Sequence, residues 1–197
     1  RKGAKAALVR TKGFRDVYEV GRISRPESFN PRFRKHGPLV PREDIFEVSE
    51  RMLADGSVRT PFDENDAREV ARIIKEEGFE AVAVLFLHSY RAPEHEIRMC
   101  EILRETDPKL FVSASHELSR EYREYERTST VVANAYVGPK VSQYLGDLEK
   151  RVRENKFGGS LLIMQSNGGL SDVELARRQC IQMMESGPAG GVVGTMA

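Results

Sequence analysis

The sequence predicts an α/β fold, in which helices cover both faces of a sheet of buried strands. Residues 81–87 are apolar at every position, which is typical of a central strand that is covered on both faces. Amphipathic helical patterns flank this strand over residues 64–77 and from Pro93 to residue 106. The order strand, helix, strand, which an apolar run at residues 110–112 completes, implies a parallel βαβ unit with a right-handed crossover.

The chain opens with a predicted strand and a predicted helix. Residues 6–9 are small and apolar, which indicates a short buried strand, and Phe14, Val17 and Tyr18 predict a helix over residues 13–20. Four prolines and six basic residues then interrupt every pattern over residues 21–42. We expect a long basic loop there, which either contacts an acidic ligand or is solvated, with its arginines paired to nearby carboxylates.

Turn and capping residues mark the next two elements. An alternating segment at residues 46–48 and the pair Asp55-Gly56 predict a β-hairpin that returns through residues 57–59. Asp63 is the predicted N-cap of the helix that follows, and Gly78 ends that helix.

Two more helices are predicted in the middle of the chain. A stripe of aromatic and small residues from Ser119 to Tyr136 indicates the first, and Gly138-Pro139 separates it from a second helix over residues 141–152. We assign the tyrosines of this stripe to core packing rather than to a substrate cage.

The last third repeats one pattern, a buried strand that ends in a glycine-rich turn and opens a helix. Residues 161–164 are the first such strand, and a helix after the turn starts with a capping box of Ser171 and Glu174. Residues 181–184 are the second strand, and Pro188 suits the first position of the helix that follows.

Both glycine-rich turns are expected to line one ligand cleft. Ligands of open α/β sheets bind at the carboxyl ends of strands, and the free amides at a helix start bind anions such as phosphate. The candidate residues are Gln165, Ser166, Asn167, Gly168, Gly169, Glu185, Ser186, Gly187, Gly190 and Gly191. In the alternative interpretation, which the residues leave open, the glycines only let a helix pack closely on a sheet.

Composition limits the classes of partner. The 31 Lys and Arg residues nearly balance the 30 Asp and Glu residues, so no net field favours nucleic acid or an anionic membrane. No apolar run approaches the length of a membrane span, and the distant Cys100 and Cys180 favour reduced thiols, so we expect a cytoplasmic protein. The four histidines lack ligand spacing, and we expect no metal site built from this chain alone.

Four blocks of sequence together resemble the hydantoinase A and 5-oxoprolinase family. The blocks are Thr-Lys-Gly-Phe-Arg-Asp-Val at residues 11–17, Glu-Tyr-Glu-Arg-Thr-Ser-Thr at 124–130 with Asn-Ala-Tyr at 134–136, Met-Gln-Ser-Asn-Gly-Gly at 164–169, and Glu-Ser-Gly-Pro-Ala-Gly-Gly at 185–191. The resemblance spans nearly the whole chain. It implies an actin-like (ribonuclease H-like) mixed sheet with flanking helices, present in part and with a β-hairpin insertion.

The resemblance also implies a domain division and a function. Residues 1–118 resemble the N-terminal hydantoinase A-like region, and residues 119–197 resemble the start of the main domain. The family implies an ATP-dependent amidohydrolase subunit that opens cyclic amides such as hydantoins or 5-oxoproline through a phosphorylated intermediate. Its implied cofactors are ATP and Mg²⁺, and its implied partner is a hydantoinase B-like subunit or domain, with no nucleic acid and no membrane.

The sequence departs from the family in one respect. The two Asp-Gly-Gly-Thr-type phosphate loops of the family are missing, and the resemblance places them before Arg1 and after Ala197. The chain also lacks an initiating methionine, so we expect a fragment of a longer protein, inactive alone and with little or no affinity for ATP.

Alternatives remain open for the function and for one candidate residue. A ketone carboxylase subunit that phosphorylates an enolate is the closest rival, and a non-catalytic actin-like interaction module is the rival of another class. Arg127 is a candidate clamp for a phosphate or carboxylate, against the alternative of a buried helix–helix salt bridge or a solvated ion pair. The sequence identifies no catalytic residue.

Overall fold

The computed structural model describes residues 3–22, 29–33 and 36–196. The chain divides into two compact units, Lys5–Ala135 and a second that holds residues 3–4 and 136–196. The predicted family boundary between residues 118 and 119 stays a prediction.

Four parallel strands form the sheet of the first unit, in the order β2-β1-β5-β6. The elements of this unit, in chain order, are β1 (Ala6–Thr11), α1 (Val17–Val20), β2 (Ile45–Val48), β3 (Arg51–Met52), β4 (Val58–Thr60), α2 (Glu64–Glu76), β5 (Ala81–Leu85), α3 (Glu94–Thr106), β6 (Phe111–Ala114), α4 (Ser115–Leu118) and α5 (Glu124–Glu154), whose second half belongs to the other unit. The predicted parallel βαβ unit is confirmed as β5, α3 and β6.

Helices α2 and α3 cover one face of this sheet. Every residue of β5 is buried, as its uniformly apolar sequence predicts. The predicted cap of α2 is confirmed, since the Asp63 carboxylate accepts from the amides of Asn65 and Asp66. The core on this face is formed by Ala7, Val9, Val82, Val84, Val70, Ile74, Met99 and Leu103.

The other face of the sheet meets the first part of α5. The Asn134 amide donates to the Ser113 hydroxyl of β6 over 2.9 Å, and Val131, Val132 and Ala135 are fully buried. The sheet is therefore buried on both faces, which is the arrangement that parallel strands require.

Two predictions about the start of the chain are wrong. The helix expected over residues 13–20 is limited to α1, because Gly13 adopts a left-handed φ of 88° and the chain turns there. The segment at residues 46–48 is not part of a hairpin but pairs with β1 as the parallel strand β2. The hairpin forms between β3 and β4, and it turns at Asp55-Gly56 as predicted.

The predicted basic loop is described in part, because residues 23–28 and 34–35 lie outside the described residues. Two of its arginines form ion pairs. Arg22 contacts Glu126, and Arg42 Nε lies 2.6 Å from Asp16 Oδ1. Both pairs fit the interpretation in which the arginines of this loop bind local carboxylates.

The second unit combines the end of α5 with a small hairpin and two further helices. Its other elements are β7 (Leu162–Met164), β8 (Leu170–Asp172), α6 (Val173–Arg178) and α7 (Ser186–Met196). Leu145 of α5 is buried with Val173 and Ala176 of α6, and this cluster forms the core of the unit.

Helix α5 does not end at Gly138-Pro139, contrary to the sequence prediction. Proline in a helix removes one amide and releases a carbonyl of the preceding turn. The carbonyls beside it have other donors here: Tyr136 O accepts from Ala4 N over 2.9 Å, and Gly138 O accepts from the Cys180 thiol over 3.8 Å. The freed carbonyl is that of Ala135, four residues before the proline, and the helix runs through Pro139 as one 31-residue helix in place of two.

Three short elements of the second unit also differ from prediction. The predicted buried strand at residues 161–164 is the half-exposed β7, because it pairs only with β8 in a two-stranded sheet. The cap of α6 is Asp172, which accepts from Leu175 N, and not Ser171 with Glu174. The predicted strand at residues 181–184 is a 3₁₀ helix over Cys180–Met183, since a four-residue apolar run does not distinguish strand from helix.

Candidate functional site

The first predicted turn joins β7 to β8. Gln165 N donates to Gly169 O over 2.8 Å, and Gly168 N donates to Gln165 O over 3.0 Å. Gly168 has a φ of 82°, which any residue with a Cβ adopts only with strain. The Asn167 side chain accepts from Gly169 N over 2.8 Å and closes the turn.

The second predicted turn leads into α7. Its left-handed residue is Glu185, with a φ of 62°, and not a glycine. Helix α7 then begins at Ser186, so that Gly187, Gly190 and Gly191 lie within the helix. The amides of Ser186 and Gly187 donate to no acceptor among the described residues. A Cβ at Gly187 or Gly191 would meet no atom within 4 Å, so both face open space.

The structure brings the two turns together. Ser166 donates twice to Gln182 O, from its amide over 2.7 Å and from its hydroxyl over 2.5 Å. A Cβ at Gly168 would lie 3.0 Å from Cγ2 of Val193 in α7, and one at Gly190 would lie 3.6 Å from the Met164 side chain. The predicted proximity of these residues is therefore observed. Ligand binding by them stays a prediction.

Arg127 belongs to the first unit and is 1% exposed. Its Nη1 donates to Glu121 O over 3.0 Å and its Nη2 donates to Phe86 O over 2.8 Å, while its Nε has no partner among the described residues. Burial lowers its pKa from the ordinary value. In this structure Arg127 therefore joins the start of α5 to the end of β5, and its role as a phosphate clamp stays a prediction.

A second buried arginine lies on β1. Arg10 is fully buried, and none of its guanidinium nitrogens finds an acceptor among the described residues. Its pKa is lowered to about 10, chiefly by burial and also by the nearby charge of Arg127, against the opposing effect of Glu124 and Glu47. Arg10 and Arg127 thus place two positive charges in the interior of one unit.

A buried carboxylate joins three elements at the carboxyl edge of the sheet. Glu96 of α3 accepts from Phe86 N and from the Ser115 hydroxyl, each over 3.0 Å. It also accepts from His116 N over 2.9 Å and contacts His116 Nδ1 at 2.7 Å. Burial alone would raise the pKa of Glu96, but these bonds hold it below its ordinary value. Burial alone would lower the pKa of His116, but the carboxylate raises it.

A second carboxylate network lies on the same edge. Glu50 contacts the Thr11 hydroxyl, and its other oxygen lies 2.9 Å from His95 Nδ1. The Thr11 hydroxyl accepts in turn from Leu87 N over 3.0 Å. Burial raises the pKa of Glu50. These contacts connect the ends of β1, β2 and β5 to α3.

Sequence reasoning missed both networks, although one signal was present. Glu96 lies on the apolar face of α3, in the spacing of Met99, Cys100 and Leu103, where a carboxylate requires a buried partner. The partner itself gives no local signal, because His116 follows 20 residues later.

The remaining reactive side chains are isolated. Cys100 and Cys180 are free thiols, as predicted, and both are buried; burial raises the pKa of both, that of Cys180 to about 11. Within residues 3–22, 29–33 and 36–196 no three His, Cys, Asp or Glu side chains gather where they would hold a metal ion. The helices of the described part of the chain are all too short or too polar to cross a membrane.

Known proteins resemble the chain in sequence and in fold. It is 43% identical to an uncharacterized protein of Methanocaldococcus jannaschii over 96% of its length, and 33% identical to the caprolactamase subunit alpha of Pseudomonas jessenii over 95%. The nucleotide-free structure of acetone carboxylase superposes on 98% of the chain with a TM-score of 0.86 and 28% identity. This likeness confirms the actin-like α/β fold class.

The matches place the chain within longer proteins. It spans 28% of the Methanocaldococcus protein, 27% of the caprolactamase subunit and 29% of the acetone carboxylase chain. Residues 1–107 match the hydantoinase/oxoprolinase N-terminal region, and residues 127–197 match the hydantoinase/oxoprolinase domain. The chain therefore belongs to the hydantoinase/oxoprolinase family.

Proposed function

We propose that the complete polypeptide carrying this chain is a subunit of an ATP-dependent enzyme that opens cyclic amides through a phosphorylated intermediate. The observation that carries the proposal is that the glycine-rich turn at residues 165–169 adjoins the start of α7 in the second unit, where Ser166 donates two bonds to Gln182 O. Family membership and the similarity to the caprolactamase subunit alpha support the reaction class. The substrate class is a lactam, hydantoin or 5-oxoproline-like ring.

The start of α7 fits a phosphate group. The amides of Ser186 and Gly187 are available at the positive end of an 11-residue helix, and the Cβ positions of Gly187 and Gly191 are open. Bound ATP supplies the phosphoryl group that activates the amide oxygen of the ring. We propose that this chain orients one phosphate oxygen through the two amides and that the turn at Gln165–Gly169 forms the facing wall.

The described residues do not fit a Mg²⁺ site of their own. They contain no group of three carboxylate, imidazole or thiol side chains. We propose that Mg²⁺ binds through the phosphates of ATP and through residues of the complete polypeptide outside this chain. For the same reason we propose that the chain alone binds ATP weakly and is inactive.

The partner, compartment and domain division complete the proposal. The similarity to a protein named as a subunit supports assembly with a second subunit or domain, for which we propose a hydantoinase B-like protein. Two free buried cysteines support a reducing compartment, and we propose the cytoplasm. We place the boundary between the N-terminal region and the main domain near residues 118 and 119.

Ketone carboxylation is a second candidate function. The observation that favours it is the TM-score of 0.86 with acetone carboxylase over 98% of the chain. Both reactions require a phosphoryl acceptor oxygen next to the same amides, so the fold of this chain serves either one.

Product analysis separates these functions. The complete polypeptide, purified with its partner subunit, is incubated with ATP and either a cyclic amide or a ketone with bicarbonate, and the products are identified by mass spectrometry. We expect ring opening that depends on ATP. Carboxylation of the ketone without ring opening would select the second function. If neither substrate reacts, with or without ATP, an interaction module would be favoured.

A charge placed at the start of α7 tests the phosphate contact itself. Gly187→Asp adds a carboxylate in open space, where the helix dipole stabilises it but where it repels phosphate. We expect the KM for ATP to rise by about tenfold or more, which corresponds to about 1.4 kcal/mol. Gly158→Asp is the matched control, because its Cβ also faces open space. An unchanged KM in Gly187→Asp would contradict the assignment.

A further inference from the structure

An open pocket of about 370 Å³ lies in the first unit and is lined by basic side chains. We name it the basic pocket. Its charged walls are Lys12, Arg51 and Arg59, and Phe14, Ser49, Glu50 and Thr60 complete the lining. None of these residues belongs to the two glycine-rich turns.

The fold places the basic pocket where parallel sheets bind ligands. Lys12 directly follows β1, and Ser49 directly follows β2, so both lie at the carboxyl edge of the sheet. The Lys12 amide donates to Val48 O over 3.0 Å and fixes the first loop to the second strand. The hairpin of β3 and β4 then brings Arg51 opposite Thr60 in register.

The cations of the pocket lack partners. The side chains of Lys12 and Arg59 make no hydrogen bond or ion pair with any described residue. The Arg51 guanidinium lies 4.6 Å from the centre of the Phe14 ring, and its Nε and Nη1 are shielded from solvent without an acceptor among the described residues. A shielded donor without an acceptor destabilises the fold, and a bound oxyanion would offset that cost.

The one carboxylate of the pocket does not neutralise this charge by contact. The two oxygens of Glu50 are engaged by Thr11 and by His95, on the side of the sheet edge. Three cationic side chains therefore face a single carboxylate whose hydrogen bonds are directed elsewhere. The hydroxyls of Ser49 and Thr60 add donors that suit phosphate or carboxylate oxygens.

From this arrangement we infer that the basic pocket binds a small molecule through a doubly charged oxyanion, by contacts from Arg51, Lys12 and Arg59. The stacking of Arg51 on Phe14 holds one cation at the wall, while the exposed Lys12 and Arg59 close on the anion from the rim. The volume lies within the range of pockets that hold a small molecule.

Titration of the 197-residue chain at low ionic strength tests this inference. Inorganic pyrophosphate and succinate are the probes, and calorimetry together with the Nε–H resonance of Arg51 in NMR spectra gives the readout. We expect saturable binding of at least one probe with a shift of that resonance. Preference for pyrophosphate would identify a phosphorylated ligand, and preference for succinate would identify a carboxylated one.

Three variants make the result specific. Arg51→Gln and Lys12→Gln should each weaken binding by about tenfold or more. Because the Lys12 side chain is exposed, Lys12→Gln should keep the fold intact, so its weaker binding would not result from misfolding. Arg72→Gln is the control, because Arg72 pairs with Glu69 and Glu76 on α2 and does not line the pocket. Absence of binding by either probe, or equal affinity in all three variants, would overturn the inference.

Discussion

Replacement of Glu96 by glutamine should strongly destabilise the first unit. The two carboxylate oxygens have different partners. Oε2 accepts from Phe86 N and the Ser115 hydroxyl, whereas Oε1 accepts from the backbone amide of His116 and contacts the ring Nδ1 of the same residue. Glutamine has the same volume but only one acceptor oxygen. Whichever way the amide is placed, its NH₂ group opposes one of these two pairs of donors.

The magnitude follows from the bonds that are lost. A hydrogen bond to a charged group contributes about 1.5–3 kcal/mol, so that two lost bonds cost about 3–6 kcal/mol. Removal of one partner from a buried ion pair independently costs about 3–5 kcal/mol. Because the Glu96 side chain is fully buried, solvent does not reduce this cost. We therefore expect Glu96→Gln to lower the free energy of unfolding by about 3–5 kcal/mol.

Urea denaturation followed by far-ultraviolet circular dichroism measures this change, since the chain contains no tryptophan. Glu101→Gln is the matched control on the same helix. Its carboxylate is 51% exposed and pairs with Arg98 at the surface, so its loss should cost less than about 1 kcal/mol. If the two variants unfold at the same urea concentration, the buried network does not stabilise the fold and the reasoning fails.

Two further predictions concern pH and backbone strain. The folded pKa of Glu96 lies below its ordinary 4.5, so its contribution to stability is present above pH 4.5 and is lost as the pH falls through the folded pKa. The folded pKa of His116 lies above its ordinary 6.5, so its contribution to stability is present below pH 6.5 and is lost as the pH rises through the folded pKa. The difference in urea midpoint between the wild type and Glu96→Gln should accordingly be greatest between pH 4.5 and 6.5, and a pH-independent difference would argue against the ion pair. Gly168→Ala should cost about 1–2 kcal/mol, because φ is 82° and the new Cβ would lie 3.0 Å from Val193. In Gly191→Ala the new Cβ would meet no atom within 4 Å, so this variant should stabilise the fold by about 0.5–1 kcal/mol. Thermal unfolding of both variants checks this, and a change in melting temperature of the same sign for Gly168→Ala and Gly191→Ala would refute the comparison.

Long periodic segments were predictable because their local pattern and their tertiary role agree. Helix α2 has its cap, its apolar face and its terminal glycine within 16 residues of sequence, from Asp63 to Gly78, and all three are observed. Strand β5 is apolar throughout because both of its faces are covered. In these elements the residues that decide the structure are neighbours in the sequence.

Several short elements were not predictable, because distant partners decide their structure. Residues 46–48 alternate as a hairpin strand would, yet their partner is β1, more than 30 residues earlier and parallel. Pro139 reads as a helix end, yet α5 continues through it, and Ala4 and Cys180, which are distant in sequence, contact the carbonyls of Tyr136 and Gly138. The turn expected at residues 186–191 is helical, and the chain turns instead at Glu185, whose φ is left-handed, so that the glycines lie within α7.

The parallel sheet explains why both buried carboxylates and the basic pocket lie at one edge. Each strand of a parallel sheet ends on the same side, so the residues that follow β1, β2, β5 and β6 converge there. Glu50 and Glu96 hold the backbone at the ends of these strands through buried bonds, which removes the freedom that loops at a sheet edge otherwise have. Lys12 and Ser49 adjoin this network, so the backbone at these two positions of the pocket wall is held before any anion arrives. Such preorganisation lowers the ordering cost of binding, and it makes Glu50 a structural support of the basic pocket as well as part of its lining.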